Sequence, residues 1–135
     1  MSINFTVSED SIRELRQKFA DHESSEAIGL AINHLHDLLK EVRRIDYGLL
    51  RQSENIRRLL EQDESLPHRR YGQSPITREA QGYEKLRLSR EERVGIAATY
   101  LALIEGIAKD PNVFNHIRFG SVRFDTGVTA ESEGA

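Results

Sequence analysis

The hydrophobic positions at the start of the chain alternate with polar positions. Ile3, Phe5 and Val7 are separated by Asn4 and Thr6, and this period of two is typical of a half-buried strand. No neighbouring segment offers a partner strand. Because an unpaired strand leaves amides and carbonyls without hydrogen-bond partners, this segment is expected to pair with a strand from elsewhere.

A helical period replaces the alternation after Val7. Ser8 is a predicted N-cap, with acidic residues in the first turn where the helix dipole favours them. The apolar positions that follow predict a helix ending near residue 21. A short turn then leads to a second helix, with Ser24 or Ser25 as its cap.

The second helix carries the strongest pattern in the sequence, which is a heptad repeat with apolar residues in nine of its ten core positions. Such a repeat predicts a left-handed coiled coil, and the most direct partner is the same helix of a second chain. One helix is therefore predicted from about residue 25 to 62. The core positions are Ile28, Leu35, Val42, Leu49 and Ile56, together with Ala31, Leu38, Ile45, Gln52 and Leu59.

The period disappears between residues 63 and 82, where two prolines and two glycines predict a linker. Ser89 and Glu92 have the spacing of a capping box, which predicts a helix from there to about residue 108. Gly120 and Ser121 then have the chemistry of a two-residue hairpin turn. The last ten residues are small and acidic, and they are predicted to be disordered.

The predicted hairpin would place Arg118 opposite Arg123. Like charges directly across a hairpin repel each other, so either acidic neighbours or a bound anion should offset them. Glu91, Glu92 and Glu105 are the candidate neighbours, and nucleic acid is the candidate anion. The basic residues Arg69 and Arg70 in the linker are further candidates for phosphate contacts.

These elements predict a mainly α fold with short β segments. The boundaries are a strand–helix–helix module at 1–44, a coiled-coil extension at 45–62, the linker at 63–82, a helix and hairpin at 83–125 and the tail at 126–135. An N-terminal dimer, a long coiled-coil second helix and a C-terminal helix plus β-hairpin make up the expected architecture.

Composition narrows the classes of function. The chain has 135 residues, a net charge of −3 and no cysteine, so disulfides, thiolate metal sites and a cysteine nucleophile are excluded. No signal peptide or membrane-spanning run is visible, which predicts a cytoplasmic protein. His34 and His36 are two apart on a helix and point in different directions, so no metal site is expected. No cofactor and no catalytic triad are predicted.

The stretches "INFTVSEDSIREL" and "SSEAIGLAINHL" together resemble the ribbon-helix-helix family of DNA-binding proteins, which includes the Arc, MetJ and CopG repressors. The resemblance covers roughly the first 42 residues. It implies that the strand pairs antiparallel with the same strand of a second chain, and that this ribbon enters the major groove of DNA.

The resemblance also implies roles for individual residues. The outward strand residues Ser2, Asn4 and Thr6 would read bases, while the backbone at Ser24 and Ser25 would hold a phosphate. Independently of the resemblance, Arg69, Arg70, Arg118 and Arg123 are the candidates for auxiliary nucleic-acid contacts. The dimer interface would comprise Ile3, Phe5, Val7, Ile28, Leu35, Leu38, Val42, Ile45, Leu49, Ile56 and Leu59.

The expected function is therefore that of a homodimeric or higher-order protein that binds double-stranded DNA in a sequence-specific way. Transcriptional repressors, antitoxins and plasmid transfer or partition accessory proteins are built in this manner, and the residues do not choose among them. A C-terminal segment of this length also suits a protein partner. The alternative is a coiled-coil interaction or adaptor protein without nucleic-acid binding, which the acidic net charge favours. An enzyme is the third and least favoured class.

Overall fold

The computed structural model describes residues 5–63, 75–109 and 122–128. Five elements follow one another along the chain: strand β1 (Phe5–Val7), helix α1 (Glu9–Lys18), helix α2 (Ser25–Asp63), helix α3 (Pro75–Lys109) and strand β2 (Val122–Phe124). The prediction of a mainly helical chain with short strands is confirmed. Ser2, Asn4, Ile3, Arg69, Arg70 and Arg118 lie outside the described residues, as do the predicted turn at Gly120 and Ser121 and most of the predicted tail.

The first strand pairs within its own chain. β1 and β2 form a parallel two-stranded sheet, in which Phe5 lies opposite Val122, Thr6 opposite Arg123 and Val7 opposite Phe124. The Asp125 amide extends the pairing by donating to the Val7 carbonyl at 2.9 Å. The intersubunit antiparallel ribbon is therefore not confirmed. Nor is the C-terminal hairpin, since the pairing that β2 makes here is parallel.

The other edge of β1 is partly occupied by α1. Ser8 caps this helix as predicted and accepts from the Ser11 amide at 3.2 Å. The Ser11 hydroxyl in turn donates to the Thr6 carbonyl at 2.9 Å. This bond uses a carbonyl that a second strand would need, because the pairing groups of Val7 already face β2.

The core lies where β1, α1 and β2, here called the head, pack on the first half of α2 and the last third of α3. Val7, Ile28, Leu35, Val42 and Ile45, which were assigned to a dimer interface, are buried here within one chain. Leu38, Leu49, Ile56 and Leu59 of the same set are half-buried. The chain itself therefore supplies the burial that was expected from a second copy.

Helices α2 and α3 form an antiparallel hairpin. Arg93 bonds Glu41, Arg90 bonds Asp46, and an added side chain at Gly82 would meet Gln52. The predicted coiled-coil extension at 45–62 thus has its partner in α3 of the same chain. The half of the hairpin beyond the Asp46–Arg90 pair, residues 47–63 and 75–89, is called the tip, and none of its described side chains is fully buried.

The hairpin corrects two predicted boundaries. α2 continues to Asp63 and α3 already begins at Pro75, so helix occupies part of the predicted linker. Proline suits the first position of a helix, where its missing N–H has no partner to lose. The capping box at Ser89 and Glu92 is wrong, because both residues lie inside α3 and the Ser89 hydroxyl accepts from Arg93.

Candidate nucleic-acid interface

The sheet brings two of the predicted DNA contacts together. Thr6 and Arg123 are register partners on adjacent strands, and both side chains are exposed. Both also line a cleft of about 410 Å³ between the sheet and the hairpin.

The floor of this cleft is formed by groups that satisfy one another. The Asp46 carboxylate accepts from Nε of Arg90 at 2.7 Å and from the Thr126 hydroxyl at 2.9 Å. Its side chain is 15% exposed. This carboxylate therefore joins α2, α3 and the segment after β2. Its two hydrogen bonds give it a structural role, which is to hold these three segments together.

The two amides that were predicted to hold a phosphate before α2 have acceptors within the chain. The Ser24 amide donates to Nδ1 of His22 at 3.0 Å, and the Ser25 amide donates to the His22 carbonyl at 3.0 Å. Because both amides already have acceptors, neither is free to hold a phosphate. Nε2 of His22 lies 3.3 Å from the Ala108 carbonyl, so this residue joins the turn to the end of α3.

A group of basic residues that was not singled out in the sequence shares one face of the hairpin. On α2, Arg44, Arg51 and Arg58 are seven residues apart and therefore occupy the same heptad position. Arg44 lines a shallow cleft with Glu41, Ser89 and Arg93, which fixes the side of the hairpin on which it lies.

Helix α3 contributes two cations to the same side. Lys85 is one turn before Ser89, and Arg78 is two turns before Lys85, so both lie on the side of Ser89. All five cationic side chains are exposed. We call Arg44, Arg51, Arg58, Arg78 and Lys85 the basic face.

The basic face is electrostatically unbalanced. Within the described part of the chain, none of its five side chains makes an ion pair or a side-chain hydrogen bond, although other arginines of the same helices do. Beside the arginine row at the tip are Gly48 and Asn55 on one side and the exposed Tyr47 on the other, with Gly82 on α3. Glu54 lies one turn before Arg58 and Glu61 one turn after it, so five cations stand against two neighbouring carboxylates on α2.

The remaining surface of α3 at the tip has the opposite character. Arg87 bonds both Glu84 and Glu91 at 2.6 Å. The hydrogen bond from Arg87 lowers the pKa of Glu84 below its usual value. Two carboxylates around one guanidinium give this cluster a net negative charge.

The spacing of the basic face suits a polyanion. Seven residues of helix rise about 10.5 Å, so the three arginines of α2 span about 21 Å. Guanidinium groups bind phosphate oxygens through paired hydrogen bonds. The seven-residue spacing of these arginines is visible in the sequence, but only the hairpin reveals that Arg78 and Lys85 join them.

Comparison with known proteins assigns this chain to no family. No protein-family model, curated protein or solved structure matches this chain. Across residues 5–63, 75–109 and 122–128, no cluster of three or more potential ligands is arranged to hold a metal ion. None of the helices described is long and apolar enough to cross a membrane.

Proposed function

We propose that this chain is a non-enzymatic DNA-binding protein whose helical hairpin holds the phosphate backbone through the basic face. The observation that carries the proposal is the set of five exposed cations on one side of α2 and α3, without an ion pair among the described residues. Phosphate neutralisation supplies most of the affinity of proteins for nucleic acid. The expected site is therefore the hairpin rather than the predicted ribbon.

The composition of the basic face favours a duplex. Tyr47, one turn from both Arg44 and Arg51, is an exposed aromatic side chain beside this face. Proteins that bind single strands stack successive bases on aromatic residues, and one ring offers a single such contact. The basic face also has no large apolar side chain at the tip, while helices that lie on membranes insert an apolar face. A rigid row of cations about 21 Å long would follow the backbone over roughly six base pairs.

The sheet is a separate candidate for base reading. Thr6 and Arg123 lie beside Asp46 and Arg90, on the side of the hairpin that carries the head, whereas the basic face lies on the side of Glu41 and Arg93. A straight duplex resting on the basic face would not reach both. Sequence-specific reading by Thr6, and a role in transcription or plasmid transfer, therefore stay predictions separate from phosphate binding.

The test is a titration of a fluorescently labelled 20-base-pair duplex with the full chain, followed by anisotropy over 50 to 200 mM salt. Five phosphate contacts predict a slope of about −4.5 in log affinity against log salt. Affinity would then fall about 500-fold across the series. The double variant Arg51→Ala, Arg58→Ala should lower the slope to about −2.7.

Arg57 provides a matched control. It is exposed and, among the described residues, has no ion-pair partner, but it lies about 100° round the helix from Arg58. It shares the heptad position of Arg43, which bonds Glu9 of the head. Arg57→Ala should leave the slope near that of the unmodified chain. Equal effects of the Arg57 and Arg58 variants would refute the assignment of the face.

The coiled-coil interaction protein is the competing function. It predicts no salt-dependent binding of either duplex or single-stranded DNA at 50 mM salt. Preference for a single strand over the duplex would contradict the argument that one aromatic side chain is too few for base stacking. Both outcomes are read from the same titration.

A further inference from the structure

The last four turns of α3 are apolar on more than one side. Ala97, Leu101 and Ile104 face α2 and are buried in the core. The segment from Val94 to Ala108 contains a single charged residue, Glu105. A helix that is apolar around its circumference is usually covered on several sides. We therefore expect a second face of α3, besides the one that contacts α2, to be covered by another surface.

That second face is a heptad stripe of its own. Ile96, Tyr100, Leu103 and Ile107 follow one another at intervals of four, three and four residues, which is the spacing of coiled-coil core positions. Ile96 is 41% exposed, and the other three are half-buried because they already contact the core of their own chain. We call these four residues the outer seam.

Helix α2 widens the outer seam with one more apolar residue. The rings of His34 and Tyr100 stack with centroids 5.2 Å apart, which places them side by side across the hairpin. Leu30 is one turn before His34, is therefore on the same side, and is 61% exposed. The patch is thus continuous across both helices.

We propose that a second copy of this chain covers the outer seam, with the two α3 helices packed antiparallel about a twofold axis. The intervals of four, three and four read the same in both directions, so the seam is complementary to itself. The axis would pair Ile96 with Ile107 of the second copy, and Tyr100 with Leu103. A contact of this kind is isologous, and it closes at two subunits.

Charges at the two ends of the seam support this occupant. Glu92 and Lys109 are exposed, and neither makes an ion pair with another described residue. In the antiparallel register, each Glu92 comes within two residues of Lys109 in the second copy. The same attraction therefore occurs twice, once at each end.

This dimer is independent of the proposed DNA contact. In the same register, Arg78 and Lys85 would lie beyond the end of the second copy's α3, so the two paired helices do not cover them. Loss of dimerisation would leave phosphate binding by one hairpin in place, and the two proposals can fail separately.

Sedimentation equilibrium of the full chain from 5 to 200 µM tests the proposal. The unmodified chain should dimerise, and Ile96→Glu should be monomeric because it places a carboxylate against the apolar Ile107 of the second copy at both ends of the seam. Leu88→Glu is the matched control, since Leu88 is also on α3 and 52% exposed but lies outside the seam. A chain that stays monomeric at 200 µM, or equal loss in both variants, would overturn the proposal.

A charge exchange tests the register without disturbing the core. Glu92→Lys alone and Lys109→Glu alone should each weaken the dimer about tenfold, since each creates two repulsive pairs. The double variant should restore the affinity to within about twofold of the original. A double variant that dimerises no better than the single variants would exclude this antiparallel register. This test does not depend on the folding of Ile96→Glu, which circular dichroism checks separately.

Discussion

The ion pair between Asp46 and Arg90 should contribute far more to stability than the neighbouring pair between Glu41 and Arg93. Both pairs join α2 to α3, and both have an Nε to oxygen distance of 2.7 Å. They differ in exposure, because the Asp46 side chain is 15% exposed and the Glu41 side chain 49%. Asp46 also accepts a second bond, from Thr126.

These differences determine how much free energy of unfolding each variant is expected to lose. Asp46→Ala removes a charge-assisted hydrogen bond and a hydroxyl bond, which together contribute about 3 kcal/mol. Alanine is more favourable than aspartate in a helix by about 0.5 kcal/mol. The net loss in the free energy of unfolding is therefore about 2.5 kcal/mol. Glu41→Ala breaks a solvent-screened pair and should cost less than about 1 kcal/mol.

Urea unfolding and thermal unfolding, both followed by circular dichroism, measure the free energy of unfolding and the Tm of both variants under the same conditions. For a chain of this size, the Asp46 variant should lower Tm by about 10 °C and the Glu41 variant by less than about 4 °C. A double-mutant cycle with Arg90→Ala should give a coupling energy of about 1 to 2 kcal/mol. Equal losses from Asp46→Ala and Glu41→Ala would refute the assignment of Asp46 as the anchor of the head on the hairpin.

Two further predictions concern helix glycines and the first cap. Gly95→Ala should stabilise the chain by about 0.8 kcal/mol, because nothing lies within 4 Å of the added Cβ. Gly48→Ala should gain less or lose stability, since its Cβ would stand 3.0 Å from Cδ1 of Leu86. Ser8→Ala should cost about 1 kcal/mol and Ser8→Gly only a few tenths, because serine caps α1 and glycine tolerates that position. Urea midpoints decide each case, and a Gly48 variant as stable as the Gly95 variant would contradict the close approach of α2 and α3.

The helix with the strongest repeat was predicted most accurately. The predicted range of 25 to 62 differs by one residue from α2, Ser25–Asp63, because a sustained heptad fixes both the period and the length of a helix. The repeat does not identify the partner, since an apolar heptad face can pack on α3 of the same chain or on α2 of another chain. This ambiguity is why the core residues Leu35 and Val42 were assigned to a dimer interface.

The first half of α3 was missed for a different reason. Residues between Pro75 and Leu88 include few apolar positions, so no hydrophobic period identifies the helix. Its contact with α2 is made in part by Gly82 against Gln52 and by Leu86 against Gly48. Because the two helices approach each other at glycines, few apolar residues are needed at this contact. The segment was therefore predicted to be a linker.

The pairing of β1 with β2 could not be predicted from local sequence patterns either. Turn chemistry at Gly120 favours a hairpin between neighbouring segments, and the alternation at Val7 indicates only that a strand exists. A parallel pair requires a long connection, which here includes all three helices. Its formation depends on the head packing on α2 and α3, where Val7 and Phe124 share the core.

The net charge of −3 is a poor guide to binding for a molecule of this shape. At physiological salt a charge is screened beyond about 8 Å, so a phosphate on the basic face is affected mainly by cations beside it. The cluster of Glu84, Arg87 and Glu91 lies on another side of α3. The heptad that places Leu35 and Val42 in the core also places Arg44, Arg51 and Arg58 in one row. Because the same period orders both, a change that shifts the register of α2 against α3 should weaken duplex binding together with folding stability, whereas neutralising Arg51 and Arg58 should weaken binding alone.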